Sequence, residues 1–303
     1  MFHVLLKASA FILIIVLAYV LKVYHVLSPK DVKSFSKLLM NVTLPSALIV
    51  STQSISITAT LLLPILIAIL GNLTLLGIGY VRGRHKPSQE KAQEMMQLAG
   101  YNIGTFAFPF VQSFFPSSYL IYVILFDTGN AFMVFGGNYS LISLIAKLEE
   151  KVTVLGMLKK LCRSLPFCTY LFCFCLSLFQ VTIPENIVTL VKVAADANPF
   201  VAMMVLGLMV DFKFSKEVLK SLGQLLSLRL LGSLIMLVFL YSLPLELAIK
   251  EMLTICLIAP ISVVTPLYVR QLGSDSSLPA TLNSVTILSS VALMTLFMVF
   301  FVS

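Results

Sequence analysis

Long apolar runs separated by short polar links repeat along the whole chain. Ten such runs stand near residues 4–24, 32–52, 57–80, 92–114, 118–143, 162–181, 187–210, 218–241, 248–270 and 279–301. Each is about 20 residues long, the length a helix needs to cross ~30 Å of hydrocarbon. The runs are continuous rather than alternating, which predicts helices instead of barrel strands. The first run, Val4 to Tyr24, is too long for the core of a signal peptide and lacks a small-residue cleavage pattern, so it reads as a retained span. The expectation is an all-α integral membrane protein, a single domain over 1–303 with no soluble module between spans.

Four of the runs are interrupted. Span four contains GYNIGTFAFPF from Gly100, which puts Asn102, Gly104, Thr105 and Pro109 at mid-span depth. Span nine reads APISVVTPLYV, where Pro260 and Pro266 bracket Ser262 and Thr265. Span two reads MNVTLPSALIV and span seven ADANPFVAMMV. Asn41 and Thr43 precede Pro45 in one; Asp196 and Asn198 precede Pro199 in the other. The longest polar link, 147–163, divides the spans into repeat one (1–146) and repeat two (160–303). Five spans is an odd number, so the second repeat would enter the membrane inverted. Broken spans at matching positions of two inverted halves point to a transporter site.

Proline lacks a donor and clashes with the preceding turn, so Pro109 and Pro266 are expected to start new half-helices. Asn102 to Phe108 and Pro260 to Thr265 would be partly unwound. Two half-helix N-termini meeting in one cavity would each carry about +0.5 charge and free N–H groups, which favours an anion such as a carboxylate. Asn102, Gly104, Thr105, Pro109, Pro260, Ser262, Thr265 and Pro266 are therefore the candidate substrate-binding residues. Asn41, Pro45, Asn198 and Pro199 mark the breaks of a supporting scaffold. The bland alternative, ordinary proline kinks packed against neighbours, explains one break better than it explains a matched pair.

Charge adds orientation. Only 11% of residues are charged, against about 25% in soluble domains. Most of the 21 Lys and Arg fall in the links after spans one, three, five and seven. Positive links lie in the cytoplasm, so both termini are expected outside, at the cell (plasma) membrane. The net charge of +8 follows from that bias and gives no sign of nucleic-acid binding. There is no Trp, so Tyr24, Tyr80, Tyr119 and Tyr241 are the expected interfacial belt.

Intramembrane charges are costly and usually functional. Asp127, with Asn130 at i+3 on the same face, reads either as a proton-coupling group or as a hydrogen-bond acceptor for unwound backbone. Arg229, eleven residues into span eight, could bind a substrate carboxylate; an ion pair with Asp127 or Asp196 is the favoured expectation. Lys192 and Asp196 can pair at i, i+4. Arg270 suits a helix C-terminus and is not expected as a ligand. Cys162, Cys168, Cys173 and Cys175 read as small buried thiols on one helix. The three His are scattered, so no metal site or cofactor is expected. No phosphate-binding loop occurs, and GIGYVRG has the wrong spacing for a dinucleotide loop. The glycosylation patterns at Asn41, Asn72 and Asn138 lie inside spans.

These stretches together resemble the auxin efflux carrier family of transporters. FILIIVLAYVLKVYHVLSPKDVKSFSKLLMNVTLPSALIV resembles the family's opening spans, YNIGTFAFPF its fourth, DTGNAF its fifth, NPFVAMMVLGLMV its seventh and APISVVTPLYVRQLG its ninth. The resemblance covers nearly the whole chain. The long cytoplasmic insertion of plant members is absent, so it points to the short bacterial, malonate- or malate-transporter-like type. It implies crossed, broken helices four and nine, a scaffold of spans one, two, six and seven, and organic-acid substrates such as malonate, malate or indole acetate. Ala18 departs from a Gly frequent in the family's first span. Membrane lipid and a small organic acid are the expected partners; proton or sodium coupling and a homodimer through the scaffold helices stay open.

The expectation is a non-enzymatic secondary active or facilitative carrier of small organic anions working by alternating access. The alternatives are a sodium-coupled symporter or cation–proton antiporter on the same plan, and a membrane anion sensor. Asp127 is the lone acid near the breaks of spans four and nine, which disfavours a dedicated cation site. A sensor would normally carry an output domain.

Overall fold

The computed structural model describes residues 2–28, 30–52, 62–148, 154–179, 181–211 and 216–302. Residues 57–61 of the third expected span, part of the 147–163 connector, and Lys151 and Lys213 lie outside them. Every regular element among the described residues is helical. In order these are α1 (Phe2–Val23), α2 (Asp31–Leu38), α3 (Leu44–Ser51), α4 (Leu62–Gly83), α5 (Ser88–Leu98), α6 (Phe108–Phe114), α7 (Leu120–Phe132) and α8 (Asn138–Ile145). Then follow α9 (Val154–Cys162), α10 (Leu165–Leu178), α11 (Glu185–Asp196), α12 (Asn198–Met209), α13 (Lys216–Ser242), α14 (Leu247–Leu257), α15 (Thr265–Gln271) and α16 (Leu278–Phe297).

Among the described residues, seven helical stretches are long and apolar enough to cross a membrane. They cover the expected spans one, two, three, five, seven, eight and ten. The expected fourth and ninth spans each come as two pieces, α5 with α6 and α14 with α15. The expected sixth is a shorter apolar helix, Leu165–Leu176.

The prolines act where chemistry requires, but not always by breaking the helix. α2 runs into α3 through a π turn at Leu39–Thr43, where the N–H of Leu44 reaches back to Leu39 O. The same widening at Ile103–Ala107 lets the Phe108 N–H reach Ile103 O. Pro45 and Pro109 each come one residue later. Their rings would strike the carbonyl four residues back, and a wider turn moves that carbonyl aside. The expectation for the fourth span is corrected: of Asn102 to Phe108, only Asn102 is non-helical. The non-helical stretch is 99–102, and helical turns resume at Ile103. In the ninth span, 258–264 is non-helical and α15 begins with Pro266 as its second residue.

Small residues bring helices together. α1 packs along α12, where a Cβ on Gly207 would collide with Ile15 O and the Ala18 side chain. Ala18 is fully buried there. α7 meets α4 at Gly129, whose added Cβ would lie 2.5 Å from Ile65 O. Such close backbone approach is what holds helices together where lipid removes the hydrophobic drive. The apolar faces left outside, including Leu13 on α1 and Leu234 and Val238 on α13, are exposed, as a lipid-facing surface requires.

The cysteines depart from expectation. Cys162 ends α9 while the other three lie on α10, and Cys162 and Cys175 are exposed. Lys192 and Asp196 do pair, at 2.7 Å on the exposed face of α11.

Candidate functional site

The two non-helical stretches meet. The Asn102 N–H donates to Pro260 O at 2.9 Å, and Thr265 Oγ1 donates to Ala99 O at 3.2 Å. Gly100 sits at φ +87°, and a Cβ there would lie 2.9 Å from Ser262 Cβ. Both the backbone region and the space call for glycine.

Residues 99–102 are all buried, so each backbone polar group needs a partner. In 99–102 they can be followed one by one. The Gly100 N–H donates to Asn72 Oδ1 at 3.1 Å. The Tyr101 N–H donates to Asn130 Oδ1 at 3.0 Å, and Asn130 Nδ2 donates back to Tyr101 O at 2.8 Å. Ala107 N–H closes on Asn102 O. The second stretch is served in the same manner. Ser233 Oγ donates to Leu257 O at 2.8 Å, the Ile261 N–H donates to Thr286 Oγ1 at 3.3 Å, and Asn283 Nδ2 donates to Ile261 O at 3.0 Å.

Arg229 corrects an expectation. It pairs with neither Asp127 nor Asp196. Its Nη1 donates to Leu98 O at 2.6 Å, and its Nη2 donates to Gly100 O and Ala259 O at 3.0 Å each. The guanidinium also lies 5.1 Å from the centre of the Tyr101 ring. Carbonyls at the broken ends outcompete the carboxylates because they are adjacent and otherwise unsatisfied.

A cavity of about 370 Å³ adjoins the crossing. Asn102, Gly104, Thr105, Asp127, Asn130 and Ser262 line it, with Leu44, Leu48, Phe108, Phe167, Tyr170 and Met209 making an apolar wall. Asn102 Oδ1 accepts from the Thr105 hydroxyl. Its Nδ2 is buried without a hydrogen-bond partner. Asp127 Oδ1 accepts from Asn130 Nδ2 at 3.2 Å. Asp127 Oδ2 lies 3.3 Å from where a Gly104 side chain would begin, so glycine there leaves room for the carboxylate.

The remaining expected residues do not line this cavity. Pro109 is buried within α6, and Pro260 and Thr265 act through the crossing bonds above. Pro266 instead lines a second cavity of about 450 Å³ with Asp211, Arg270 and Asp275. Val263 borders both cavities. At the scaffold breaks, Asn41 is exposed and Pro45 buried. The contact is made by Thr43, whose hydroxyl donates to Asn198 Oδ1 at 3.1 Å, while Asn198 Nδ2 donates to Gln112 Oε1 at 2.9 Å. Pro199 is the second residue of α12. No group of three or more His, Cys, Asp or Glu among the described residues could hold a metal ion.

Sequence reasoning missed Gly100, Ser233, Asn283, Thr286 and the role of Asn72. A lone amide inside an apolar run was the available signal for the two Asn. No protein-family model and no curated protein matches the chain.

Proposed function

We propose that this chain is a ten-span secondary carrier of a small organic anion, of the auxin efflux carrier type, built from two inverted five-span repeats. Matched elements support the repeat reading. The first break is capped from spans three and five, by Asn72 and Asn130. The second is capped from spans eight and ten, by Ser233 and by Asn283 and Thr286. The kinked spans two and seven meet through Thr43 and Asn198.

The observation that carries the functional reading is the Asn102 amide. Its Nδ2 is a buried donor without a partner, and the residue lines a cavity large enough for a small acid. A missing partner at that depth costs ~1–3 kcal/mol, and a carboxylate oxygen would supply it. Thr105 and Ser262 add hydroxyls on the same wall. The apolar remainder suits a substrate with a hydrocarbon or aromatic body. Asp127 is the lone charged side chain among the described lining residues. Its negative charge would oppose an anion unless it takes up a proton, which fits proton-coupled transport. The cavity extends toward Val32 and Ser36 at the start of span two and Ser164 at the start of span six. By the positive-inside bias that is the cytoplasmic end, so the conformation reads as inward-facing.

Uptake of radiolabelled malonate, malate and indole acetate into proteoliposomes, under imposed pH or sodium gradients, tests the reading. Saturable uptake of at least one acid, driven by the pH gradient, is expected. No binding and no uptake of any carboxylate would overturn it.

A further inference from the structure

Carriers with interrupted helices commonly hold a sodium ion on unwound carbonyls and half-helix C-terminal ends. Here those groups surround a side chain. α5 ends at Leu98 and α14 at Leu257, and both C-terminal ends face the crossing. Each brings about half a negative charge. Arg229 answers with one positive charge, delivered as donors to Leu98 O, Gly100 O and Ala259 O. Ser233, one turn further along α13, satisfies Leu257 O. Arg229 is 4% exposed, and no carboxylate among the described residues pairs with it. A buried cation without a counter-ion is costly, so the two helix ends are its counter-charge. The magnitudes balance: two half charges against one.

The geometry points to Arg229 as a built-in cation that fills the carbonyl cage at the helix crossing, so that the two broken helices are held together without a bound metal ion. Arginine fits this duty better than lysine. Its planar fork reaches three carbonyls from one rigid group and stays charged. Arg229 is thus a positioning residue: it fixes Gly100 and Ala259, and through them Asn102 and Pro260, without lining the cavity. Sodium would have no place at the crossing. Truncating the side chain would vacate the cage and expose its oxygens to a small cation from solution.

The test is thermal melting of the purified full chain in choline chloride, sodium chloride and a few millimolar guanidinium chloride. Wild type should show no sodium-specific shift over choline. Arg229→Ala should melt roughly 10 °C lower, and sodium or guanidinium, but not choline, should recover part of that loss. Arg229→Lys should fall between. A saturable sodium-specific stabilisation of wild type would overturn the proposal. So would Arg229→Ala melting like wild type, or failing to respond to both cations. If Arg229→Ala does not fold, Arg229→Lys decides with the wild-type titration: a wild-type melting point in that variant would overturn the proposal. Melting does not depend on substrate. Failure here leaves the carrier reading standing, and absence of carboxylate uptake leaves this inference standing.

Discussion

The main-chain N–H of Asn102 donates to the carbonyl of Pro260 across 2.9 Å, joining two broken helices far apart in sequence. The bond uses only backbone of Asn102, which frees its side chain for the cavity. The two duties of this residue, holding the crossing and meeting a ligand, are therefore separable by mutation.

Asn102→Ala keeps the backbone bond and removes the unpartnered Nδ2. Anion affinity is expected to fall by ~1–3 kcal/mol, with the melting temperature of the substrate-free protein nearly unchanged. Calorimetry with a carboxylate that binds wild type reads the first, and a melting curve the second. Wild-type affinity in the variant would remove the Asn102 side chain from the site.

Gly100→Ala should damage the crossing. The φ of +87° is unfavourable for alanine by ~1–2 kcal/mol, and the methyl group would press on Ser262 Cβ at 2.9 Å. Destabilisation of at least that size and loss of uptake are expected. A variant with native melting and native transport would show that the break tolerates a different backbone.

Asp127→Asn separates binding from coupling. A fixed negative charge beside a bound anion is repulsive in low dielectric, and the amide removes it while retaining a partner for Asn130. Binding and exchange should persist, and uphill uptake driven by a pH gradient should vanish. Full proton-driven accumulation in the variant would exclude Asp127 as the coupling group. Loss of both folding and binding would favour a purely structural role.

Cys162 is exposed at the end of α9, beside the basic connector. With the other four cysteines replaced, an impermeant maleimide should label it only after the cytoplasmic face is opened. Labelling from outside intact cells would reverse the proposed orientation.

What the sequence alone determined is local in origin. Apolar run length marked the helices, and proline chemistry marked the interruptions near Pro45, Pro199 and Pro266. The Lys192–Asp196 pair followed from helical spacing on a single element. Tertiary structure decided the rest, because the N–H groups of Gly100, Tyr101 and Ile261 and the carbonyls of Gly100, Tyr101, Ala259 and Ile261 are satisfied from other helices. Asn72 reaches Gly100 across 28 residues, and Arg229 reaches Leu98 across 131; no periodicity encodes such separations. The unwound stretch also moved to 99–102, ahead of the proline that predicted it. Pro109 could be accommodated by a widened turn, whereas the four residues before Ile103 gain amide, hydroxyl and guanidinium partners only where α4, α7, α13 and α15 converge.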